Sequence, residues 1–278
     1  MNPTTNATKL LTRLVKTKAE TIKLGLDVHA RDVMVCVQQD GALPERALKL
    51  EAKRVVELAR GLIAAGRKVY SCYEAGPCGY ELHRALVATG ATNYVVVAEV
   101  LSDGRRQKTD ALDAAALTDR LDRYIRGNPK AFSVVTVPTP EHEQARAQAR
   151  LRGQLKASRH QWEARGRSLL LTHGHHVSGA WWTPRRRSGL QPTLPAWLQT
   201  ELATMRTVLL LLLDTEEKTR RSALEAQAPP ILPKAIGALT WVLIGREICD
   251  RHRFKNRRQV SSYTGLCPGV AQSGGPQT

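Results

Sequence analysis

The pattern of apolar and polar positions changes character once along the chain. Ile22 to Val28 and Val33 to Gln39 are β-rich, and the short connection through His29, Ala30 and Arg31 predicts an antiparallel hairpin. Arg46 to Leu50 adds a third strand after the Asp40-Gly41 turn. From Ala52 to Ala65 the period becomes helical, with Val55, Val56, Leu58, Ala59, Leu62 and Ile63 at three- and four-residue spacing until Gly66 stops the run. Lys68 to Tyr73 is a strand, Tyr80 to Thr89 a helix stopped by Gly90, Asn93 to Ala98 a buried strand, and Thr109 to Arg126 a helix. This order predicts an α/β fold, one mixed sheet with helices packed on it.

Beyond Pro138 and Pro140 long helices take over. Gln144, Gln148, Leu151, Leu155, Ser158, Trp162 and Leu169 lie near a weakly apolar heptad seam, and Leu198, Leu202, Met205, Leu209 and Leu212 form a cleaner one. Two such helices pack antiparallel or pair with a second copy of the chain. The last section runs through a helix ending near Ile248, then Arg251, Arg253, Lys255, Arg257 and Arg258, and a short helix to Tyr263. The divisions expected are a basic amphipathic lead-in (1–20), an α/β domain (21–138), a long-helix coiled-coil region (139–228) and a small helical C-terminal domain (229–278).

Composition turns this architecture toward nucleic acid. Among 278 residues, 42 Lys and Arg face 25 Asp and Glu, a formal charge of +17, which attracts polyanions over the whole surface. Between Pro140 and Leu190 ten Lys and Arg stand against three Glu, and Trp181, Trp182, Arg185, Arg186 and Arg187 set rings and guanidinium groups side by side. That combination suits stacking on exposed bases and pairing with phosphates, although a basic run of this kind also serves as a plain solvated surface. The longest purely apolar run, Val208 to Leu213, is far short of the roughly 20 residues of a spanning helix, so no membrane segment is expected. Five scattered cysteines without a Cys-x-x-Cys pair, and an N-terminus without an apolar core, fit a reduced, cytoplasmic protein. His173, His175 and His176 lack partners at zinc-binding spacing, and neither a Gly-x-x-x-x-Gly-Lys loop nor His-Glu-x-x-His occurs.

The candidate chemistry lies in four acids. Asp110 and Asp113, three residues apart, share one face at the start of a helix that Thr109 would cap. First-turn acids also serve simply to complement the helix dipole. Asp27 and Glu74, however, each end a predicted strand, and one acid per strand edge with two on a following helix can converge on Mg²⁺, which takes carboxylate oxygens, water and phosphate. Two ions about 4 Å apart would polarise a scissile phosphate and stabilise the leaving oxygen. Arg105, Arg106 and Lys108 would hold the backbone beside them.

These residues resemble a known family. Gly25-Leu26-Asp27-Val28-His29, Tyr73-Glu74-Ala75-Gly76 and Lys108-Thr109-Asp110-Ala111-Leu112-Asp113-Ala114 together look like the DEDD transposases of bacterial insertion sequences, relatives of the Piv-type DNA invertases. Ile236-Gly237-Ala238-Leu239-Thr240, Arg253-Phe254-Lys255 and Ser262-Tyr263-Thr264-Gly265-Leu266-Cys267-Pro268 are similar to that family's second conserved domain. The resemblance implies a RuvC-like (RNase H) fold carrying Asp27, Glu74, Asp110 and Asp113 around Mg²⁺, with Mn²⁺ as a substitute, and a helical coiled-coil middle. It also implies a serine nucleophile, falling on Ser273 before Gly274-Gly275, that joins DNA covalently in a site assembled from two subunits. A structured non-coding bridge RNA would select donor and target DNA. The family continues beyond the equivalent of Thr278, so a C-terminally truncated copy is the expectation here. Three functions compete: a transposase, a structure-specific nuclease like a Holliday-junction resolvase, which needs the acids but not Ser273, and an inactive nucleic-acid-binding remnant.

Overall fold

The computed structural model describes residues 3–98, 109–227 and 231–263. The chain divides into two compact units, Met1–Val137 and Pro138–Thr278. In the first, helix α1 (Pro3–Lys16) precedes strands β1 (Thr21–Val28), β2 (Val33–Gln39) and β3 (Leu48–Leu50). Helix α2 (Ala52–Ala64), β4 (Lys68–Glu74), α3 (Glu81–Val87), β5 (Thr92–Val96) and α4 (Asp110–Ile125) follow. The sheet order is β3-β2-β1-β4-β5. β1 pairs antiparallel with β2 and parallel with β4, which pairs parallel with β5, so this is the mixed sheet that the sequence predicts.

Alternation along the central strand sorts the core onto two faces. Ile22, Leu24 and Leu26, with Val33, Val35 and Val37 of β2, pack with Val55, Leu58 and Leu62 of α2. Leu10 and Leu14 of α1 are buried in the same cluster, so the N-terminal stretch is built into this unit instead of leading up to it. The opposite face carries Cys72, Val96, Leu117, Leu121 and Phe132.

Helix α4 lies unusually close to β1, and Gly25 is the reason. A Cβ on Gly25 would come within 2.3 Å of the Ala114 carbonyl and 2.2 Å of Thr118 Oγ1, so only glycine permits this approach. The buried Thr118 hydroxyl lies 2.8 Å from the Ala114 carbonyl and 3.4 Å from that of Cys36 on β2. Further along, buried Lys23 of β1 pairs with Asp122 of α4. Burial alone pushes the Asp122 carboxyl up, but Lys23 and Arg126 outweigh it and hold the group below the usual range. This pair therefore contributes stability above the ordinary carboxylate range and loses it as pH falls through the lowered value. Tyr124 stacks on Phe132 with centroids 4.5 Å apart and closes that end.

The second unit holds α5 (Pro140–Thr172), α6 (Pro184–Leu190), α7 (Ala196–Gln227), α8 (Ala238–Ile248) and α9 (Arg257–Tyr263). Leu170 of α5 packs with Leu198, Leu202 and Leu209 of α7, and Arg159 Nε lies 2.9 Å from Glu216, so residue numbers fall along one helix as they rise along the other. The two long helices are thus antiparallel. The clean seam on α7 is seated, whereas Leu151 of the weaker seam is 47% exposed, since Arg152 and Arg159 meet Glu216 there instead. Glu247 of α8 joins Arg146 and Arg150 of α5 at 2.9 and 3.3 Å.

One feature of α7 bears on the expectation that no membrane segment is present. By length and mean hydropathy alone, Ala196–Glu225 of α7 is apolar enough to cross a membrane, although its longest continuous apolar run is short. Such a single helix is weak evidence for a membrane, because Leu198, Leu202 and Leu209 sit in the unit's own core and Glu216 is ion-paired to α5.

Gly25→Ala is expected to cost about 3 kcal/mol or more in guanidinium unfolding, because backbone on both sides would have to shift. Gly153→Ala, mid-α5 with nothing within 4 Å of the new carbon, is expected to raise stability by about 0.5–1 kcal/mol.

Candidate metal centre

Asp27 and Glu74 stand at the C-terminal ends of neighbouring parallel strands, one step beyond the paired residues Leu26 and Tyr73. Alternation from Gly25 and Cys72, both facing α4, brings the two acids to the same face. Thr109 caps α4 by accepting from the Leu112 amide at 3.4 Å, which fixes Asp110 and Asp113 in the first turn beside them. The positive end of the helix dipole offsets part of the repulsion among these acids.

The tightest group is a different set from the four acids. Ligand atoms of Asp27, His29 and Asp110 all lie within 4.8 Å of one another, and neither Glu74 nor Asp113 belongs to that set. His29 Nε2 stands 3.1 Å from Asp27 Oδ2 and 3.4 Å from Asp110 Oδ2. His29 was not among the expected site residues, yet its place two positions after Asp27 was the available signal, since alternate strand positions share a face. Its amide donates to the Asp32 carbonyl at 2.9 Å in the β1–β2 turn, which anchors the backbone that carries the ring.

Burial raises the Asp27 carboxyl; His29 pulls it down, and the charges of Asp110 and Asp113 push it up again, with the balance upward. The place is therefore short of positive charge. Two carboxylates and an imidazole, in a setting that penalises negative charge, fit a divalent cation.

Of the expected nucleic-acid contacts, Arg185, Arg186 and Arg187 are exposed on α6, and Lys255, Arg257 and Arg258 are exposed near α9. Trp181 is a correction. Its ring is 3% exposed, fills the space left by Gly166 and donates from Nε1 to the Glu163 carbonyl at 3.0 Å, so it is core and has no free face for a base. Trp182 is half-buried edge-on against it, at 5.9 Å. Arg253 sits over the rings of Phe254 and Tyr263 at 4.6 and 4.4 Å, engaged inside its own unit. Arg105, Arg106, Lys108 and Ser273 lie outside the described residues.

Comparison with known proteins finds transposases. Residues 234–278 match the family model described as transposase IS116/IS110/IS902. Over 232 residues the chain is 32% identical to "Putative transposase y4rJ" of Sinorhizobium fredii, covering 72% of this chain and 57% of that protein. Over 209 residues it is 27% identical to "Putative transposase y4qE" of the same organism, covering 74% and 52% respectively. The likeness is thus to transposases of the IS116/IS110/IS902 description, and the chain spans about half the length of these curated relatives.

The raised Asp27 carboxyl gives a pH test. Its neutral form favours the fold, so this contribution is complete below the ordinary aspartate value and is lost as pH rises through the higher folded value. Metal-free Asp27→Asn, which cannot ionise, is expected to melt higher than the unsubstituted chain at neutral pH, with the gap narrowing toward acid in thermal scans. A gap of constant size would contradict the burial account.

Proposed function

We propose that this chain is the DNA-cleaving and rejoining component of an insertion sequence, a recombinase acting by phosphoryl transfer. The observation that carries this reading is the convergence of Asp27 and Asp110 at the C-terminal end of the central strand, in a chain similar to these transposases. The first unit takes the RuvC-like (RNase H) role, which the sheet order β3-β2-β1-β4-β5 supports. Asp27, Asp110, Asp113 and Glu74 would hold Mg²⁺, or Mn²⁺ in its place, with Glu74 and Asp113 outside the innermost set of ligand atoms. The metal supplies Lewis-acid stabilisation of charge on the phosphate oxygens.

The residues around it do the remaining work. The positive end of the α4 dipole offsets part of the repulsion among the acids, and the exposed arginines Arg185, Arg186 and Arg187, with Lys255, Arg257 and Arg258, carry the phosphate backbone of DNA and of a guide RNA. Ser273 is the nucleophile that joins DNA, in a site completed by a second copy of the chain. The long helices form the coiled-coil region that pairs the copies, the section from residue 229 onward is the serine-bearing domain, and the protein works in the cytoplasm.

Asp27→Ala or Asp110→Ala is expected to lower Mg²⁺-dependent strand cleavage by about a hundredfold to a thousandfold while leaving DNA binding intact. Ser273→Ala is expected to abolish the covalent protein–DNA adduct on a denaturing gel; an unchanged adduct would assign the nucleophile elsewhere. In salt titrations, replacing Arg185, Arg186 and Arg187 by Ala is expected to reduce the slope of log affinity against log salt by up to about 3. An unchanged slope removes α6 from the interface.

A further inference from the structure

We infer that His29 is a nitrogen ligand of the metal centre and makes it prefer Mn²⁺ over Mg²⁺. This rests on the metal-site reading above and adds to it a residue and a selectivity that four carboxylates would not produce.

The separations among these atoms fit a ligand set. Two donors at about 2.1 Å from an octahedral ion stand about 3.0 Å apart along an edge. His29 Nε2 is 3.1 Å from Asp27 Oδ2 and 3.4 Å from Asp110 Oδ2, so one cation can meet all three with small adjustments. Glu74 and Asp113, both acids, are outside this innermost group, and the imidazole has taken a place beside Asp27 that a third carboxylate would otherwise fill. The ring is carried by a short hairpin turn closed by the His29 amide on the Asp32 carbonyl, and Lys49 Nζ on Asp32 at 2.8 Å steadies the far side of that turn. Its neighbour Asp110 is held by the capped helix.

Donor chemistry then decides the metal. Mg²⁺ is hard, keeps oxygen ligands and gives up water reluctantly; imidazole suits Zn²⁺, Cu²⁺, Fe²⁺ and Ni²⁺ best, and Mn²⁺, the weakest binder of the transition series, still accepts it more readily than Mg²⁺. A site of two carboxylates and one imidazole shifts the balance toward Mn²⁺. Both His29 and Asp110 are open to solvent, with side chains 49% and 63% exposed, so an ion can enter without a conformational gate.

The test uses the whole chain with Mn²⁺ or Mg²⁺ alone, without nucleic acid. Wild type is expected to bind Mn²⁺ at least tenfold more tightly than Mg²⁺ by calorimetry, and the bound Mn²⁺ to display the electron-spin-echo modulation of a coordinated imidazole nitrogen. His29→Asn is expected to lose the nitrogen signal and reduce the preference for Mn²⁺ at least threefold. His29→Asp, which restores a charged oxygen donor, should bind Mg²⁺ more tightly than wild type while staying free of the nitrogen signal. Bound Mn²⁺ without nitrogen coupling in wild type, or a preference unchanged in both variants, overturns the role of His29. Asp27→Ala separates the two levels of the argument. If it leaves binding of both ions unchanged, the metal-site reading itself fails; if it abolishes binding while the His29 variants behave as wild type, only the present inference does.

Discussion

The separation between α4 and β1 is the constraint on which the first unit turns. Gly25 removes the side chain that would hold the helix off the sheet, and the Ala114 carbonyl and Thr118 occupy the space. Lys23 on Asp122 and the Tyr124–Phe132 stack lock the far half of the helix, so its first turn has little freedom over the strand end. That rigidity keeps acids in repulsive proximity, a state the burial-raised Asp27 carboxyl registers. The dipole at the capped helix start compensates in part, and a bound cation would compensate in full. Stability invested along the body of α4 is what holds the acids together at its end.

The second unit spends its large aromatic groups differently from a nucleic-acid platform. Trp181 on Gly166 fills the angle between α5 and the segment leading to α6, and Leu170, Leu198 and Leu202 complete that core. With Trp181 inside, the positive groups beside it are left as accessible chemistry: Arg185, Arg186 and Arg187 on a short helix too small to have a core of its own. Such charges suit contact with a phosphate backbone.

Much of the α/β half was legible because its signals are local. β-rich runs broken by a three-residue connection, a three- and four-residue apolar repeat halted by Gly66, and a Thr-x-x-Asp start at Thr109 each specify an element within a few residues. Asp27 and Asp110 were legible as neighbours, since strand ends and a helix start are where sheet topology gathers side chains. His29 was passed over although it lay in the same five-residue segment, because attention to acids hides a neutral ligand. Trp181 turned inward, and Arg253 lies over rings of its own unit, for a common reason. An aromatic or a guanidinium beside other basic residues looks the same in sequence whether it faces solvent or fills a gap, and burial at 3% or a ring sandwich is a property of the partners that come from elsewhere in the chain.

The sequence by itself determined most of the elements, the overall positive charge and the resemblance to transposases, all carried by short-range pattern and motif. Only the tertiary structure decided which of the acids of Lys108-Thr109-Asp110-Ala111-Leu112-Asp113 meets Asp27 most closely, and that an imidazole stands between them. The physical reason is distance: spacing along the chain fixes a face and a period, but the few ångströms that separate a ligand set from a row of surface charges depend on how near α4 can come to β1. A missing side chain at Gly25 sets that approach.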